Sequence, residues 1–163
     1  MTRIAAGQKS PLFSLATPKG DLIPLAGTLQ KGPVVLAFFK ITCPVCQFTF
    51  PFLERIHQAF EQHVSVLAVS QDDARDTQDF MAEYNLSFPA LLDEPGYPIS
   101  NNYGLTNVPT LFLIDSTGKV LVSCVGFVRE DLEKIWDTLA QHMPTSPSTL
   151  FQSDEVIPSY KPG

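Results

Sequence analysis

The chain has 163 residues, of which 44% are hydrophobic and 17% are charged, and its formal net charge is −6. This length supports one hydrophobic core, and the composition is that of a globular domain rather than a disordered chain. The negative charge, without any cluster of Lys or Arg, argues against a phosphate-binding surface and so against nucleic acid as a partner.

The sequence shows neither a secretory signal nor a membrane span. Residues 1–7 contain no apolar stretch of signal length, and Pro11 follows soon after. No later stretch approaches the roughly 20 apolar residues of a transmembrane helix. We therefore expect a cytoplasmic protein without a membrane partner. Three cysteines also make a poor framework of structural disulfides. This agrees with a reducing compartment, where such disulfides are rare.

The first half of the chain alternates predicted strands and helices. Short apolar pieces around a turn at Gly20 predict a β-hairpin over residues 7–25. An apolar run predicts a buried strand at residues 33–39, and apolar residues at helical spacing predict a helix over residues 47–63. A second buried strand follows at residues 64–70.

The middle of the chain continues this alternation. Asp72 or Asp73 suits the N-cap of a helix whose apolar face includes Phe80. A short strand at residues 88–92 and a helical turn at residues 97–103 follow.

A hairpin and a helix end the predicted domain. Strands at residues 110–115 and 119–125 flank a turn that contains Gly118. The last helix, at about residues 129–142, carries a regular apolar stripe made of Leu132, Ile135, Trp136 and Leu139. The order of elements predicts an α/β fold with a central mixed β-sheet flanked by helices and an N-terminal β-hairpin as an extension.

The composition changes after Met143, where prolines and serines become frequent. We assign residues 1–143 to the domain and residues 144–163 to a Pro/Ser-rich C-terminal tail. The tail is too apolar for a simple solvated linker, because it contains Phe151, Val156, Ile157 and Tyr160. It is expected to be loosely held, or to dock on the domain or on a partner. We expect it to be dispensable for folding, since all predicted core elements precede it.

Cys43-Pro44-Val45-Cys46 is the most informative motif in the chain. It lies at the turn between the strand at residues 33–39 and the helix that follows, where two cysteines can close a small disulfide with little backbone movement. Cys43 precedes the first helical amides, and their N–H groups stabilise a thiolate over a thiol. The motif therefore predicts a reactive dithiol.

Two other interpretations of the cysteines are a zinc half-site and an inert pair. A tetrahedral zinc site needs about four ligands. The remaining Cys and His residues are Cys124, His57, His63 and His142. They form no second pair of ligands with the spacing usual in zinc sites. We therefore expect no metal and no cofactor. Cys124 is interpreted as a small core residue, and the histidines as solvated or structural.

Three segments carry a family resemblance. The first runs from Phe38 to Cys46, with Pro51 in the following helix; the second is Asn107-Val108-Pro109-Thr110; the third runs from Leu113 to Gly126. Together they resemble the thioredoxin-like superfamily in its redoxin branch, the alkyl hydroperoxide reductase/thiol-specific antioxidant family. The likeness covers roughly residues 7–142.

The resemblance implies a thiol–disulfide oxidoreductase. Cys43 would be the exposed nucleophile and Cys46 the buried resolving thiol. Pro109 would be cis and packed against the dithiol, leaving the backbone beside Val108 and Thr110 available to an extended substrate. The implied partners are protein disulfides or dithiols and an upstream thiol reductant, and we expect a monomer or a weak dimer.

Three further residues of the motif region are expected to contact substrate. They are Thr42, Pro44 and Val45. Thr42 stands where thioredoxins have an aromatic residue, directly before the first cysteine.

The chain departs from the family where protons are handled. Thioredoxins have a buried acid six residues before the nucleophile, where this chain has Ala37. Several exported reductases have an acid six residues after it, where this chain has Thr49. The proton relay for Cys46 is therefore unassigned, and Lys40 is the candidate for positive charge or for a relay through water.

Two alternative functions stay open beside the oxidoreductase. A peroxiredoxin-like peroxidase would need a threonine three residues before Cys46, where Cys43 stands, and an arginine near Thr110-Leu111-Phe112. A non-catalytic thioredoxin-like binding module would have no use for two thiols at a set spacing. Both alternatives are therefore less favoured.

Overall fold

The structure, a computed structural model, describes residues 2–143 and 148–163. Its elements in chain order are β1 (Ser14–Ala16), β2 (Leu22–Pro24), α1 (Leu25–Leu29), β3 (Val34–Phe39), α2 (Pro44–Phe60), β4 (Ser65–Ser70), α3 (Ala74–Glu83), β5 (Ala90–Leu92), α4 (Pro98–Asn102), β6 (Thr110–Ile114), β7 (Val120–Val125), β8 (Phe127–Val128), α5 (Arg129–Ala140) and β9 (Tyr160–Lys161). All the predicted elements are present, and α1, β8 and β9 are additional.

Five strands form the central sheet in the order β5-β4-β3-β6-β7. Strands β3, β4 and β5 run parallel, whereas β6 is antiparallel to β3 and β7 is antiparallel to β6. The central strand β3 is buried along its whole length, as expected for a strand covered on both faces. The predicted mixed sheet is confirmed, and so is the N-terminal hairpin, in which β1 pairs with β2.

The sheet separates two hydrophobic cores, because successive side chains of a strand point to opposite faces. On one face, alternate residues of β3 such as Ala37 and Phe39 pack with α2, α3 and α5. On the other face, Leu36 and Phe38 pack with α1 and with Tyr103, which follows α4. Helices therefore cover both faces of the sheet.

Helix α2 begins three residues earlier than predicted, at Pro44, and ends at Phe60. Proline is favoured at the first helical position, because an N–H there would have no partner within the helix and the φ angle of proline suits the helix. The early start places Cys46 in the first turn, on the buried face. Phe50 and Phe52 are also buried, while Phe48 is half-buried, so this helix keeps one aromatic side chain near the surface.

The tail is packed onto the domain over its described residues, 148–163. Leu150 and Phe151 are only 2% and 7% exposed and belong to the core that contains α2 and α5. Strand β9 pairs with β8 immediately before α5. Of the expectations for the tail, docking on the domain describes these residues, because the side chains of Leu150 and Phe151 complete the core. Residues 144–147, the first part of the predicted tail, lie outside the described part of the chain.

Candidate active site

The pair Cys43 and Cys46 lies at the carboxyl end of the central strand β3. The strand ends at Phe39, and three residues turn the chain into α2, whose N-cap is Cys43. The loop that leads into β6 lies beside the pair, because β6 is the antiparallel neighbour of β3. The central position of β3 thus places the motif at the middle of one edge of the sheet.

The two cysteines have different surroundings. Cys43 is half-buried, whereas Cys46 has no exposed surface, and both are free thiols. The amide N–H of Cys46 donates to Sγ of Cys43 at 3.1 Å. This hydrogen bond places an amide N–H of the helix N-terminus directly against the Cys43 sulfur.

Cys46 is held in its protonated form. Burial raises the pKa of the Cys46 thiol, and the hydrogen bond and charge of Cys43 raise it further. The backbone N–H of Lys40 lowers this pKa, while the negative charge of Asp72 raises it. At neutral pH, Cys46 is therefore the thiol of the pair that keeps its proton.

The proline loop contacts the nucleophile. The Val108–Pro109 peptide bond is cis, as predicted. The thiol of Cys43 donates to the carbonyl oxygen of Val108 across 3.5 Å. Pro109 is buried, and Thr110 is buried with its hydroxyl donating to the carbonyl of Asn107 at 2.7 Å. The side chain of Thr110 therefore supports the loop from inside, and the predicted contact of its backbone with substrate stays a prediction.

The other predicted substrate contacts lie on the rim of the site. Thr42 and Pro44 are exposed, and Val45 is half-buried. They adjoin Cys43 in the chain, in the turn before α2 and in its first helical turn.

The proton-relay positions carry no acid. Ala37 is buried in the core, and the hydroxyl of Thr49 donates to the carbonyl of Val45 at 2.7 Å within the helix. The side chain of Lys40 is exposed, and it is the backbone N–H of this residue that affects Cys46. The predicted role of the Lys40 positive charge, or of a relay through water, stays a prediction.

Asp72 is the site residue that the sequence analysis missed. The sequence suggested Asp72 only as one of two possible N-caps of α3, and the structure gives that position to Asp73, whose side chain accepts from the N–H of Asp76 at 2.8 Å. Asp72 instead accepts from the N–H of Ile41 at 2.8 Å. Its carboxylate thus holds the turn between β3 and the motif and adds negative charge beside Cys46.

The pairing of β3 with β4 explains why Asp72 meets the turn before the motif. Strands β3 and β4 are parallel neighbours, and Phe39 pairs with Ser70 at their ends. The residues that follow each strand must then meet at the same edge of the sheet. Asp72 lies two residues after β4, just as Ile41 lies two residues after β3.

The remaining cysteine and histidines stay apart from the pair. Cys124 is a core residue, as interpreted, and burial raises its pKa to about 12. His57 lies 6.0 Å from the ring of Phe88, between ring centres. No group of three or more potential metal ligands lies together within residues 2–143 and 148–163. In the same part of the chain, no helix has the length and apolar character needed to cross a membrane.

The mixed sheet, the Cys-Pro-Val-Cys motif at a helix start and the cis-proline loop against it define a thioredoxin-like protein with a dithiol site. The sequence model of the AhpC/TSA family matches residues 6–123. The chain therefore belongs to the AhpC/TSA family, as the motifs predicted.

The chain is similar to relatives and solved structures whose names describe thiol–disulfide chemistry. It is 31% identical over 134 residues to the thiol-disulfide oxidoreductase ResA of Bacillus thuringiensis (strain Al Hakam). The aligned region covers 80% of this chain and 76% of that protein. A thiol:disulfide interchange protein DsbE structure from Chlorobium tepidum matches with a TM-score of 0.73 and 29% identity, over 83% of this chain and 95% of that chain. A secreted Mycobacterium tuberculosis disulfide oxidoreductase homologous to E. coli DsbE matches with a TM-score of 0.65 and 26% identity, over 76% and 92% of the two chains.

Proposed function

We propose that this protein is a thiol–disulfide oxidoreductase that cycles the Cys43–Cys46 pair between dithiol and disulfide by exchange with protein substrates. The observation that carries this proposal is the asymmetry of the pair. Cys43 is half-buried and accepts the N–H of Cys46, while Cys46 is buried with a raised pKa. The similarity to thiol-disulfide oxidoreductase ResA supports the same activity.

The first step is attack by the Cys43 thiolate on a substrate disulfide. A new S–S bond forms between Cys43 and one substrate sulfur, and the other substrate sulfur leaves with the bonding electron pair as a thiolate, which takes up a proton. The hydrogen bond from Cys46 N–H stabilises the attacking thiolate before the reaction. The product is a mixed disulfide between protein and substrate.

The second step is attack by Cys46 on the Cys43 sulfur of the mixed disulfide. Cys46 releases its proton to solvent, forms the Cys43–Cys46 bond, and displaces the second substrate sulfur as a thiolate. Because the hydrogen bond and charge of the Cys43 thiolate raise the pKa of Cys46, mixed-disulfide formation removes two causes of that raised pKa. Formation of the intermediate therefore activates the thiol that resolves it.

The substrate leaves reduced by two electrons, and the protein is left oxidised. An upstream thiol reductant restores the dithiol by the same two steps in reverse. Oxidation of a substrate dithiol uses the same residues, and the direction depends on the reduction potentials of the partners.

The substrate surface combines the exposed rim at Thr42 and Pro44 with the backbone of Val108. The carbonyl oxygen of Val108 lies 3.5 Å from the Cys43 sulfur. An extended backbone laid along this loop would bring its own disulfide to Cys43, a recognition mode that uses main-chain groups and tolerates many sequences.

Peroxidase chemistry is not supported by the proline loop. The positions where a peroxiredoxin-like site requires an arginine are Thr110, Leu111 and Phe112, and all three are buried strand residues. A departing hydroxide needs positioned donors to stabilise its charge. Disulfide exchange needs only the thiolate, an accessible substrate sulfur and the resolving thiol.

Reduction of insulin with dithiothreitol as the electron source tests the proposed function. The unaltered protein should accelerate insulin reduction, and Cys43→Ser should abolish the acceleration. Cys124→Ala is the matched control, because it removes a third cysteine that lies in the core away from the pair, and it should retain catalysis. Full activity in Cys43→Ser would overturn the proposal.

The compartment and the oligomeric state stay predictions of the sequence. We expect the protein in the cytoplasmic fraction of its native host, and a monomer or weak dimer by light scattering.

A further inference from the structure

The C-terminal end of the described chain lies directly on the proline loop. We call residues 160–163 the C-terminal strap. The side-chain amide of Asn107 donates to the carbonyl oxygen of Gly163 at 3.4 Å. A Cβ atom placed on Gly163 would collide with the carbonyl oxygen of Val108, the same oxygen that lies 3.5 Å from Sγ of Cys43. The strap therefore touches the main-chain group that faces the nucleophile.

The strap also lies on the turn between β7 and β8. Gly126 has a φ angle of +75°, and a Cβ atom there would collide with the carbonyl oxygen of Lys161 and lie 3.0 Å from the nitrogen of Gly163. The N–H of Gly126 donates to the carbonyl of Pro109 at 2.8 Å, so this turn and the proline loop form one continuous surface. The strap runs across that surface in backbone contact, with no room for a side chain at Gly126.

A third contact joins the strap to the helix that carries the motif. The Nζ atom of Lys161 lies 5.1 Å from the centre of the Phe48 ring, a cation–π distance. Phe48 is the half-buried aromatic residue of α2, two positions after Cys46. The strap is thus bounded by the proline loop, the Gly126 turn and the active-site helix.

The strap is held more weakly than the segment that precedes it. That segment is anchored by the buried side chains of Leu150 and Phe151 and by Arg55, which binds Glu155 through two hydrogen bonds of 2.7 and 2.6 Å. The strap itself is held by the two-residue pairing of β9 with β8, by the hydrogen bond between Asn107 and Gly163 and by the contact of Lys161 with Phe48, and Tyr160 is 56% exposed. No side chain of the strap is buried in the core, in contrast to Leu150 and Phe151 at its base.

We infer that residues 160–163 occupy the surface along which an extended client segment would approach Cys43, so that the attached strap makes the protein selective for small or protruding disulfides. This inference rests on the proposed function. An extended client would lie on the Val108 backbone and the Gly126 turn, and two backbones cannot fill the same space. A small disulfide needs only the exposed rim at Thr42 and Pro44.

Removal of the strap tests the inference with two substrates. A chain ending at Ser159 is compared with the full chain, using bis(2-hydroxyethyl) disulfide and a short unstructured peptide with a mid-chain cysteine disulfide-bonded to 2-mercaptoethanol. Loss of a two-residue strand pairing should raise the rate constant for the peptide by about tenfold and that for the small disulfide by less than about twofold. An unchanged or lower rate for the peptide would overturn the inference.

Two further variants control for effects of the deletion other than the loss of the strap. Lys161→Pro keeps the chain length, removes the N–H needed for pairing β9 with β8, and should reproduce the effect of the deletion. Val156→Ala is the control within the tail, because Val156 is 98% exposed, and it should leave both rates unchanged. Effects of equal size in Val156→Ala and in Lys161→Pro would contradict the inference.

Addition of the strap as a separate molecule gives an independent readout. A synthetic peptide with the sequence of residues 156–163 should slow the truncated protein with the peptide substrate, but not with bis(2-hydroxyethyl) disulfide. A peptide of reversed sequence is the control, and equal inhibition by both would overturn the inference. If the full chain fails to react with bis(2-hydroxyethyl) disulfide, the proposed function itself fails. If that reaction proceeds and strap removal has no effect, only the strap inference fails.

Discussion

The chemistry of the pair depends on the main-chain groups and one carboxylate around two sulfur atoms. The N–H of Cys46 favours negative charge on Cys43, and burial disfavours it on Cys46. Asp72 strengthens the second effect, since its carboxylate lies against the turn before the motif. This chain has neither of the acids that the family places near the dithiol, so Asp72 is the carboxylate that acts on Cys46.

Asp72→Asn should make Cys46 a better resolving thiol at low pH. Removing a nearby negative charge favours the thiolate, so the pKa of Cys46 falls, while an Asn side-chain oxygen still accepts from the N–H of Ile41. The pH profile for resolution of the mixed disulfide should therefore shift to lower pH. Stopped-flow measurements of peptide release, starting from the purified mixed disulfide, would record the shift.

Asp73→Asn is the matched control for that prediction. It changes the adjacent acid, which caps α3 and has no part in the pKa of Cys46. Its pH profile should match that of the unaltered protein. A shift of equal size in both variants, or a shift of Asp72→Asn to higher pH, would show that Asp72 does not act on Cys46 through its charge.

At the residue scale, the sequence predicted what a local motif defines. The place of the two cysteines before a helix predicted a reactive dithiol, while the family resemblance implied the exposed and buried thiols and the cis bond at Pro109. Asp72 was missed because its partner, Ile41, lies 31 residues earlier in the chain. Such a contact becomes visible only once the register of β3 and β4 is known.

The short elements are those whose stability comes from distant partners. Strand β9 exists only through pairing with β8, more than 30 residues earlier, and its two residues carry no readable periodicity. Helix α1 has five residues, no side-chain cap and a glycine at position 27. The long elements were predicted because burial of a face imposes a repeating pattern over several turns or residues.

Because the tail is docked, the loss of a buried side chain of the tail should destabilise the domain. Phe151 is 7% exposed and packs 5.1 Å from Phe52 and 6.2 Å from Phe127, between ring centres. Phe151→Ala should therefore lower the free energy of unfolding by about 3 kcal/mol, through lost burial and the cavity left behind. Urea denaturation followed by tryptophan fluorescence would measure the loss.

Val156→Ala gives the reference for the tail, because this side chain is 98% exposed. It should change the free energy of unfolding by no more than about 0.5 kcal/mol. If Phe151→Ala were as mild as Val156→Ala, the tail would be dispensable for folding after all, as the position of the predicted core elements suggested.

At the scale of the whole molecule, the fold is shared by proteins of different chemistry, and the surroundings of the dithiol decide between them. We predict that hydrogen peroxide oxidises the reduced protein no faster than it oxidises an ordinary low-molecular-weight thiolate. The reason is that the loop after Pro109 continues into buried apolar strand residues rather than into an arginine. Stopped-flow oxidation of the reduced protein would measure the rate constant.

The cysteine variants make that comparison specific. A peroxide rate constant orders of magnitude above that of a small thiolate, lost in Cys46→Ser but kept in Cys43→Ser, would identify a peroxidase with Cys46 as its reactive residue. An ordinary rate constant together with insulin reduction would leave disulfide exchange as the activity of this fold.

The most direct test of the account is the mass of the covalent intermediate that each cysteine variant forms with a disulfide-bonded peptide. Reduced Cys46→Ser should gain the mass of one substrate fragment, located on Cys43 by fragmentation, because the attacking thiol is present and the resolving thiol is absent. Reduced Cys43→Ser should gain none, since Cys46 is buried and its pKa is raised. An adduct on Cys46 in Cys43→Ser, formed as readily as the adduct on Cys43, would contradict the assignment of Cys43 as the nucleophile.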